Sequence, residues 1–146
     1  MSLRLTRRPL SVPAAMEALE GPGLGGVVLF AGRVRPDATR RGRVVALEYE
    51  AHRTLARVVL AELERKVHRR YGAERVVLWH RLGSVPVGQV SVVVGVATVH
   101  RTEAFAAARF LIDQLKARAP IWKTERVQPA RRRQSRPPSP GGRGAG

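Results

Sequence analysis

The sequence contains no cysteine among its 146 residues. Disulfide bonds, iron–sulfur clusters, thiolate zinc sites and a cysteine nucleophile are therefore excluded within this chain. Any sulfur chemistry in which the protein takes part would need a sulfur atom supplied by another molecule.

Long apolar runs are also missing. None approaches the roughly 20 residues that a helix needs to cross a bilayer. The first residues carry charge but are not followed by the apolar stretch and small-residue cleavage site of a secretory signal. We therefore expect no membrane association and a cytoplasmic location. A hydrophobic content of 44% and this chain length are typical of one globular domain.

Acidic residues are scarce, since 11 Asp and Glu stand against 27 Lys and Arg and the formal net charge is +16. Such a charge suits a nucleic acid, an anionic small substrate or an acidic protein partner, and charge alone does not choose among them. Aromatic residues make up only 5% of the chain, and no nucleic-acid-binding motif is present. Nucleic acid is therefore not the expected partner, but a nucleic-acid-binding module and a non-catalytic scaffold remain alternatives to an enzyme.

Several catalytic signatures are absent as well. The sequence has no phosphate-binding Gly-x-x-x-x-Gly-Lys loop, no Gly-x-Ser-x-Gly elbow and no zinc metallopeptidase motif. The histidines at 52, 68, 80 and 100 do not have the spacing of metal ligands. Nucleotide hydrolysis and serine chemistry are unsupported, and we expect no metal.

The chain divides into one domain, residues 1–127, and a basic tail, residues 128–146, whose Arg, Pro and Gly content predicts disorder. Apolar periodicity and capping residues predict helices at 11–20, 53–71 and 102–118. Strands are predicted at 26–35, 44–50, 74–82 and 90–99, with a polar loop at 37–42 and a small β excursion at 83–88. This order of elements indicates an α+β fold.

The same patterns predict which side chains are buried. In the helix at 53–71 the apolar residues are Leu55, Val58, Val59, Leu63 and Val67. The helix at 102–118 is expected to begin at Thr102 as its N-cap and to bury Phe105, Ala108, Ile112 and Leu115. Val45, Leu47 and Tyr49 should share one face of their strand.

Basic side chains occur where these elements end. Lys116 lies in the last turn of a helix that Pro120 terminates, and Lys123 follows the bend, so the two ammonium groups can converge. Arg35 ends a strand, and His100 and Arg101 lie where a strand passes into a helix, a position that favours anions. Since sites are built at element ends, this pattern predicts an anion pocket.

Six ordered segments carry a family resemblance: FAGRVR (30–35), LEYEA (47–51), HRLG (80–83), VPVG (85–88), HRTEAF (100–105) and LKARAPIWKTE (115–125). They resemble the successive blocks of the large, catalytic subunit of molybdopterin synthase. The resemblance spans about residues 24–125, and its most distinctive part is Lys-x-Arg-x-Pro-x-Trp-Lys. After Glu125 the sequence departs from the family, which has a Gly-Asp/Glu-x-Trp element there.

The resemblance implies an α/β-hammerhead fold with an additional small antiparallel β region. It implies a sulfurtransferase of molybdenum cofactor biosynthesis, which converts cyclic pyranopterin monophosphate (precursor Z) into molybdopterin. The sulfur would come from the thiocarboxylated C-terminus of a small ubiquitin-like subunit, so no cofactor is expected. Large subunits of this family form a homodimer flanked by two small subunits.

The resemblance also assigns residues. Lys116 and Lys123 match the catalytic lysines, and together with Arg35, His100 and Arg101 they match the lining of the substrate pocket. One lysine would serve as acid–base catalyst or nucleophile and the other would stabilise negative charge, and which takes which role stays open. For Phe105 and Trp122 a place in the core is expected rather than stacking on a ligand.

Overall fold

Three helices and eight strands follow one another in residues 2–129, the part of the chain that the computed structural model describes. The helices are α1 (Val12–Ala18), α2 (Arg53–Tyr71) and α3 (Arg101–Arg118). The strands are β1 (Ser2–Thr6), β2 (Gly26–Arg33), β3 (Ala38–Thr39), β4 (Gly42–Ala51), β5 (Arg75–Arg81), β6 (Gly83–Pro86), β7 (Val90–Thr98) and β8 (Ile121–Gln128). The predicted α+β class is confirmed.

The strands form two sheets. Sheet 1 has the order β1-β5-β7-β2, in which β1 and β5 are parallel and the other neighbours are antiparallel. In sheet 2, β4 pairs antiparallel with β3, β6 and β8. Sheet 2 therefore brings strands from the middle and the end of the described chain onto one long central strand.

Sheet 1 separates two apolar layers, and β5 illustrates how. Val76 and Leu78 point to the layer that contains α2 and α3, whereas Val77 and Trp79 point to the layer that contains α1. This alternation follows from the two-residue period of a strand. The next residue of the series, His80, lies at the end of the strand on the side of α2 and α3.

Helix α2 has the predicted bounds, and Gly72 ends it in the left-handed conformation at φ 67°. Its predicted apolar face is partly wrong, because Leu55 and Val58 are exposed while Ala56 and Leu60 are buried. The buried set is Ala56, Val59, Leu60, Leu63 and Val67, which follows helical spacing with a small residue at the first contact.

Helix α3 begins one residue earlier than predicted. His100 is its N-cap, and no side chain caps the helix there, so the prediction of Thr102 as N-cap is wrong. The chain leaves β7 in extended conformation and turns into the helix at His100. Phe105 is exposed rather than buried, because the face against sheet 1 is formed by Ala104, Ala107, Ala108, Leu111 and Leu115.

Other differences concern the strands. The pattern did not indicate β1 or β8, and the polar loop at 37–42 contains the short strand β3. A bulge between Val44 and Ala46 in the β4–β8 pairing leaves Val45 exposed, so Val45 does not share the buried face with Leu47.

The predicted disordered tail lies outside the described residues except for its first two, Gln128 and Pro129. Of these, Gln128 is the last residue of β8.

Candidate active site

A cavity of about 840 Å³ lies between sheet 1, sheet 2 and the C-terminal end of α3. Sheet 1 contributes the end of β2 together with His80 and Val92, and sheet 2 contributes parts of β4 and β8. Leu115 and Lys116 line it from α3. The cavity is thus lined by segments that are distant from one another in sequence.

The bend after α3 brings Lys116 and Lys123 to this cavity. The Ala119 amide donates a hydrogen bond to the Leu115 carbonyl over 3.0 Å, and the Pro120 carbonyl accepts one from the His52 amide over 3.1 Å. Strand β8 then runs antiparallel to β4, with Lys123 opposite Tyr49. Both lysines line the cavity, as their positions around the proline bend predict.

Arg35 lies just beyond β2 and also lines the cavity, as does Arg33. The Arg35 guanidinium forms an ion pair with Asp37, with 3.5 Å between the nitrogen and the carboxylate oxygen. The Arg35 side chain is 81% exposed, so water screens this pair strongly. Arg35 can therefore exchange its contact with Asp37 for one with a bound anion.

His100 and Arg101 do not line this cavity. They lie at the N-terminus of α3, an 18-residue helix that is about 27 Å long, whereas Lys116 is in its last turn. A Cβ on Gly26, the first residue of β2, would lie 2.8 Å from the His100 carbonyl carbon, so this junction packs on the start of β2. The cavity is at the other end of that strand. The structure brings together Arg35, Lys116 and Lys123 and leaves His100 and Arg101 apart from them.

Two wall residues, Tyr49 and His80, received no role from the sequence. The His80 ring contacts the Tyr49 ring edge to face, with centroids 4.8 Å apart and an interplanar angle of 67°. The His80 side chain is buried, and its Nδ1 lies 2.7 Å from the Arg81 carbonyl oxygen. Alternation along β5 places His80 on the side of Val76 and Leu78, but its contact with sheet 2 could not be read from the sequence.

The cavity wall is basic overall. Arg33, Arg35, Lys116 and Lys123 line it against two carboxylates, Asp37 and Glu125. Burial lowers the pKa of His80 below its ordinary value, an effect that its backbone hydrogen bond only partly offsets, so this imidazole adds no charge near neutral pH. The arrangement suits an anionic ligand.

Trp122 lines the cavity rather than joining the core. Its side chain is half exposed, and its indole nitrogen donates a hydrogen bond to the Glu50 carboxylate over 3.0 Å. The expectation of a core position is therefore wrong for Trp122, as it is for Phe105. Phe105 lies on the face of α3 that is turned away from sheet 1, and Trp122 is on the exposed side of β8 next to the half-buried Ile121.

Within residues 2–129, no three His, Asp or Glu side chains are grouped so that they could hold a metal ion. None of the helices in that range is both long enough and apolar enough to span a membrane.

Comparison with known proteins adds an independent line of observation. A family model described as "MoaE protein" matches residues 5–118. The molybdopterin synthase catalytic subunit of Nostoc sp. is 41% identical over 128 residues, which cover 87% of this chain and 77% of the relative.

Solved structures have the same fold. The molybdopterin synthase of Staphylococcus aureus superposes with a TM-score of 0.80 at 27% identity, over 85% of this chain and 90% of the other. A chain in the complex of subunits 1 and 2 of molybdopterin-converting factor from Helicobacter pylori has a TM-score of 0.74 at 22% identity, over 90% and 91% of the two chains, a likeness that concerns the fold alone. The fold implied by the resemblance is confirmed, and the match over residues 5–118 together with the 41% identical relative shows that this chain belongs to the MoaE family.

Proposed function

We propose that this chain is the catalytic subunit of a molybdopterin synthase. The enzyme is a sulfurtransferase of molybdenum cofactor biosynthesis and converts cyclic pyranopterin monophosphate into molybdopterin. The observation that carries the proposal is the presence of Lys116, Lys123 and Arg35 in the wall of one cavity, in a chain that belongs to the MoaE family. The relative from Nostoc sp., which is named as a catalytic subunit, matches 87% of this chain.

The charges of the cavity support this substrate class. A pterin phosphate needs cationic partners, and a guanidinium such as that of Arg35 binds phosphate oxygens through two parallel hydrogen bonds. Lys116 and Lys123 act at the reacting carbon atoms, one as acid–base catalyst or nucleophile and the other as a partner for developing negative charge.

The sulfur donor is the thiocarboxylated C-terminus of a small ubiquitin-like subunit. This sequence contains no cysteine that could carry the sulfur, which agrees with an external donor. The Helicobacter pylori protein of the same fold forms a complex of subunits 1 and 2, which is the kind of assembly that the reaction requires. No cofactor takes part, and the proposed location is the cytoplasm, which cell fractionation tests.

A second copy of the chain supplies His100 and Arg101 to the cavity in this proposal. Within one chain these two residues are separated from Lys116 by the length of α3. Strand β2 is at an edge of sheet 1, and Val27, Val99 and Phe105 are exposed close to the N-terminus of α3. An apolar strand edge with no partner strand among residues 2–129 favours association with another chain, in agreement with the family's homodimer.

The direct test combines the purified chain with the thiocarboxylated small subunit and cyclic pyranopterin monophosphate, and assays molybdopterin. We expect product from the wild-type chain. Lys116→Ala and Lys123→Ala should each lower the rate by about 10²-fold or more, the loss typical of a removed catalytic group.

Lys66→Ala is the matched control, because Lys66 lies on α2 and does not line the cavity. Its rate should equal that of the wild type. A folded wild-type chain that forms no molybdopterin would refute the proposed activity, and product formation at the normal rate by Lys116→Ala would instead indicate a non-catalytic scaffold.

A further inference from the structure

We propose that the contact between Tyr49 and His80 sets the position of Lys123 relative to Lys116, so that Tyr49 and His80 are positioning residues of the site. The inference rests on the proposed function, since it concerns the lysines to which that function assigns the chemistry. Neither the family assignment nor the spacing of the lysines implies this positioning role, because the role depends on a contact between two sheets.

The two lysines are carried by different parts of the fold. Lys116 belongs to α3, which packs on sheet 1 through Leu111 and Leu115. Lys123 belongs to β8, which is paired to β4 in sheet 2. A shift of one sheet against the other would therefore change the distance between the two ammonium groups, even though only a short bend separates the lysines in sequence.

Tyr49 lies between these parts. In the β4–β8 ladder it is directly opposite Lys123, and opposite residues of an antiparallel pair point to the same face. Its ring is in edge-to-face contact with the ring of His80, which belongs to sheet 1. Tyr49 also packs against both the core of sheet 1 and the core of sheet 2. The position of the Tyr49 ring therefore depends on the positions of both sheets.

His80 provides a rigid support for this contact. It lies on β5, which is paired on both sides, with Leu5 opposite it on β1 and Val92 opposite it on β7. The ring is buried and tied by Nδ1 to the Arg81 carbonyl. Rotation of the imidazole would break that hydrogen bond, so the ring stays in one orientation against Tyr49.

The described chain offers a matched comparison. Tyr71 and Phe110 form a second aromatic contact, with centroids 5.9 Å apart and an interplanar angle of 56°, between α2 and the middle of α3. Neither residue lines the cavity. Tyr71→Leu removes a tyrosine ring from an aromatic pair, as Tyr49→Leu does, and we expect it to leave the two lysines in place because neither Tyr71 nor Phe110 contacts β4 or β8 through this pair.

The first readout is the geometry itself. Lys66, Lys116 and Lys123 are the lysines of the sequence. The intact chain is treated with a short bifunctional amine reagent, 1,5-difluoro-2,4-dinitrobenzene, and the link between Lys116 and Lys123 is quantified by peptide mass spectrometry against single modification of Lys66. We expect the link in the wild type, in Tyr49→Phe and in Tyr71→Leu, and its loss in Tyr49→Leu.

The second readout is turnover with the thiocarboxylated small subunit. Because misplacement of a reacting group by about 1 Å can cost about 10²-fold, Tyr49→Leu should lower kcat by at least about tenfold while KM changes little. Tyr49→Phe keeps the ring and should restore kcat. His80→Leu should lower kcat as Tyr49→Leu does, and the double variant should be no slower than either, since both act through one contact.

The outcomes separate the two proposals. A Tyr49→Leu chain that folds, keeps the cross-link and turns over normally overturns the positioning role, and so does a wild-type chain whose lysines cannot be linked. A loss of kcat in Tyr71→Leu that equals the loss in Tyr49→Leu would also overturn the positioning role, because it would show a general effect of lost packing. If the wild type is cross-linked but makes no molybdopterin, the proposed function fails while the comparison of Tyr49→Leu with Tyr71→Leu still decides the positioning.

Discussion

Single side chains determine the charge of the cavity, and burial affects the pKa of one of them, His80. Burial lowers its pKa, so the folded chain takes up this proton at a lower pH than the unfolded chain, in which the ordinary value of 6.5 applies. Below that value the unfolded state binds more protons. The contribution of His80 to the free energy of unfolding therefore decreases as the pH falls through about 6.5.

This decrease can be measured. Urea unfolding of the wild type at pH 7.5, 6.5 and 5.5 should show a falling free energy of unfolding, and in His80→Gln, which cannot take up the proton, the fall should be smaller. The comparison concerns the slope with pH, because loss of the buried ring lowers stability at every pH. Parallel curves for the two chains would show that His80 carries no part of the dependence.

At the scale of elements, the exposed and buried faces of α2 give a test with matched chemistry. Leu60 is 1% exposed and Leu55 is 49% exposed, although the apolar pattern placed Leu55 on the buried face. Leu60→Ala should lower the free energy of unfolding by about 2–5 kcal/mol because it leaves a cavity in the core. Leu55→Ala should change it by only about 0.5 kcal/mol, as is usual at the surface.

Denaturant unfolding of both variants at one pH provides the measurement. Equal losses would mean that Leu55 is covered, for instance by a second chain, and repeating the experiment at several protein concentrations would reveal such a cover. The two variants therefore test which face of α2 is buried and whether another chain covers its exposed face.

The helices were predictable because their signals are local. Periodicity, Gly72 and Pro120 give the bounds of α2 and the end of α3 within the sequence itself. Strands β1 and β8 were missed because their local apolar pattern is weak: Leu5 is the buried residue of β1, and every residue of β8 is exposed or only half-buried. Their pairing with β5 and β4 appears only in three dimensions.

The same distinction applies to the candidate site. Lys116 and Lys123 could be grouped in advance because one bend separates them. His100 and Arg101 could be recognised as an anion-favouring junction, but their separation from the cavity depends on which end of α3 faces sheet 2. The contact of Tyr49 with His80 joins two sheets and therefore appears only in three dimensions.

At the scale of the whole molecule, the basic residues that the sequence assigned to the site lie in two places. One basic group lines the cavity, and the other, His100 with Arg101, lies at the opposite end of α3. A two-fold dimer through the β2 edge would bring the second group of one chain towards the cavity of the other, because a symmetric interface exchanges equivalent surfaces. The site would then consist of residues from two copies.

Mixed dimers decide whether the copies share a site. Lys116→Ala and Arg101→Ala are expected to be poorly active as separate proteins. When they are unfolded together and refolded as an equal mixture, half of the dimers contain one copy of each.

If Arg101 acts in the cavity of the partner, each such dimer has one cavity in which Lys116 and Arg101 are both intact. The mixture should then regain about a quarter of wild-type activity. If Arg101 acts within its own chain, every cavity lacks one of the two groups and the mixture stays as inactive as its components. If Arg101→Ala alone has wild-type activity, Arg101 takes no part in the site. The control is the wild-type chain, which should be fully active after the same unfolding and refolding.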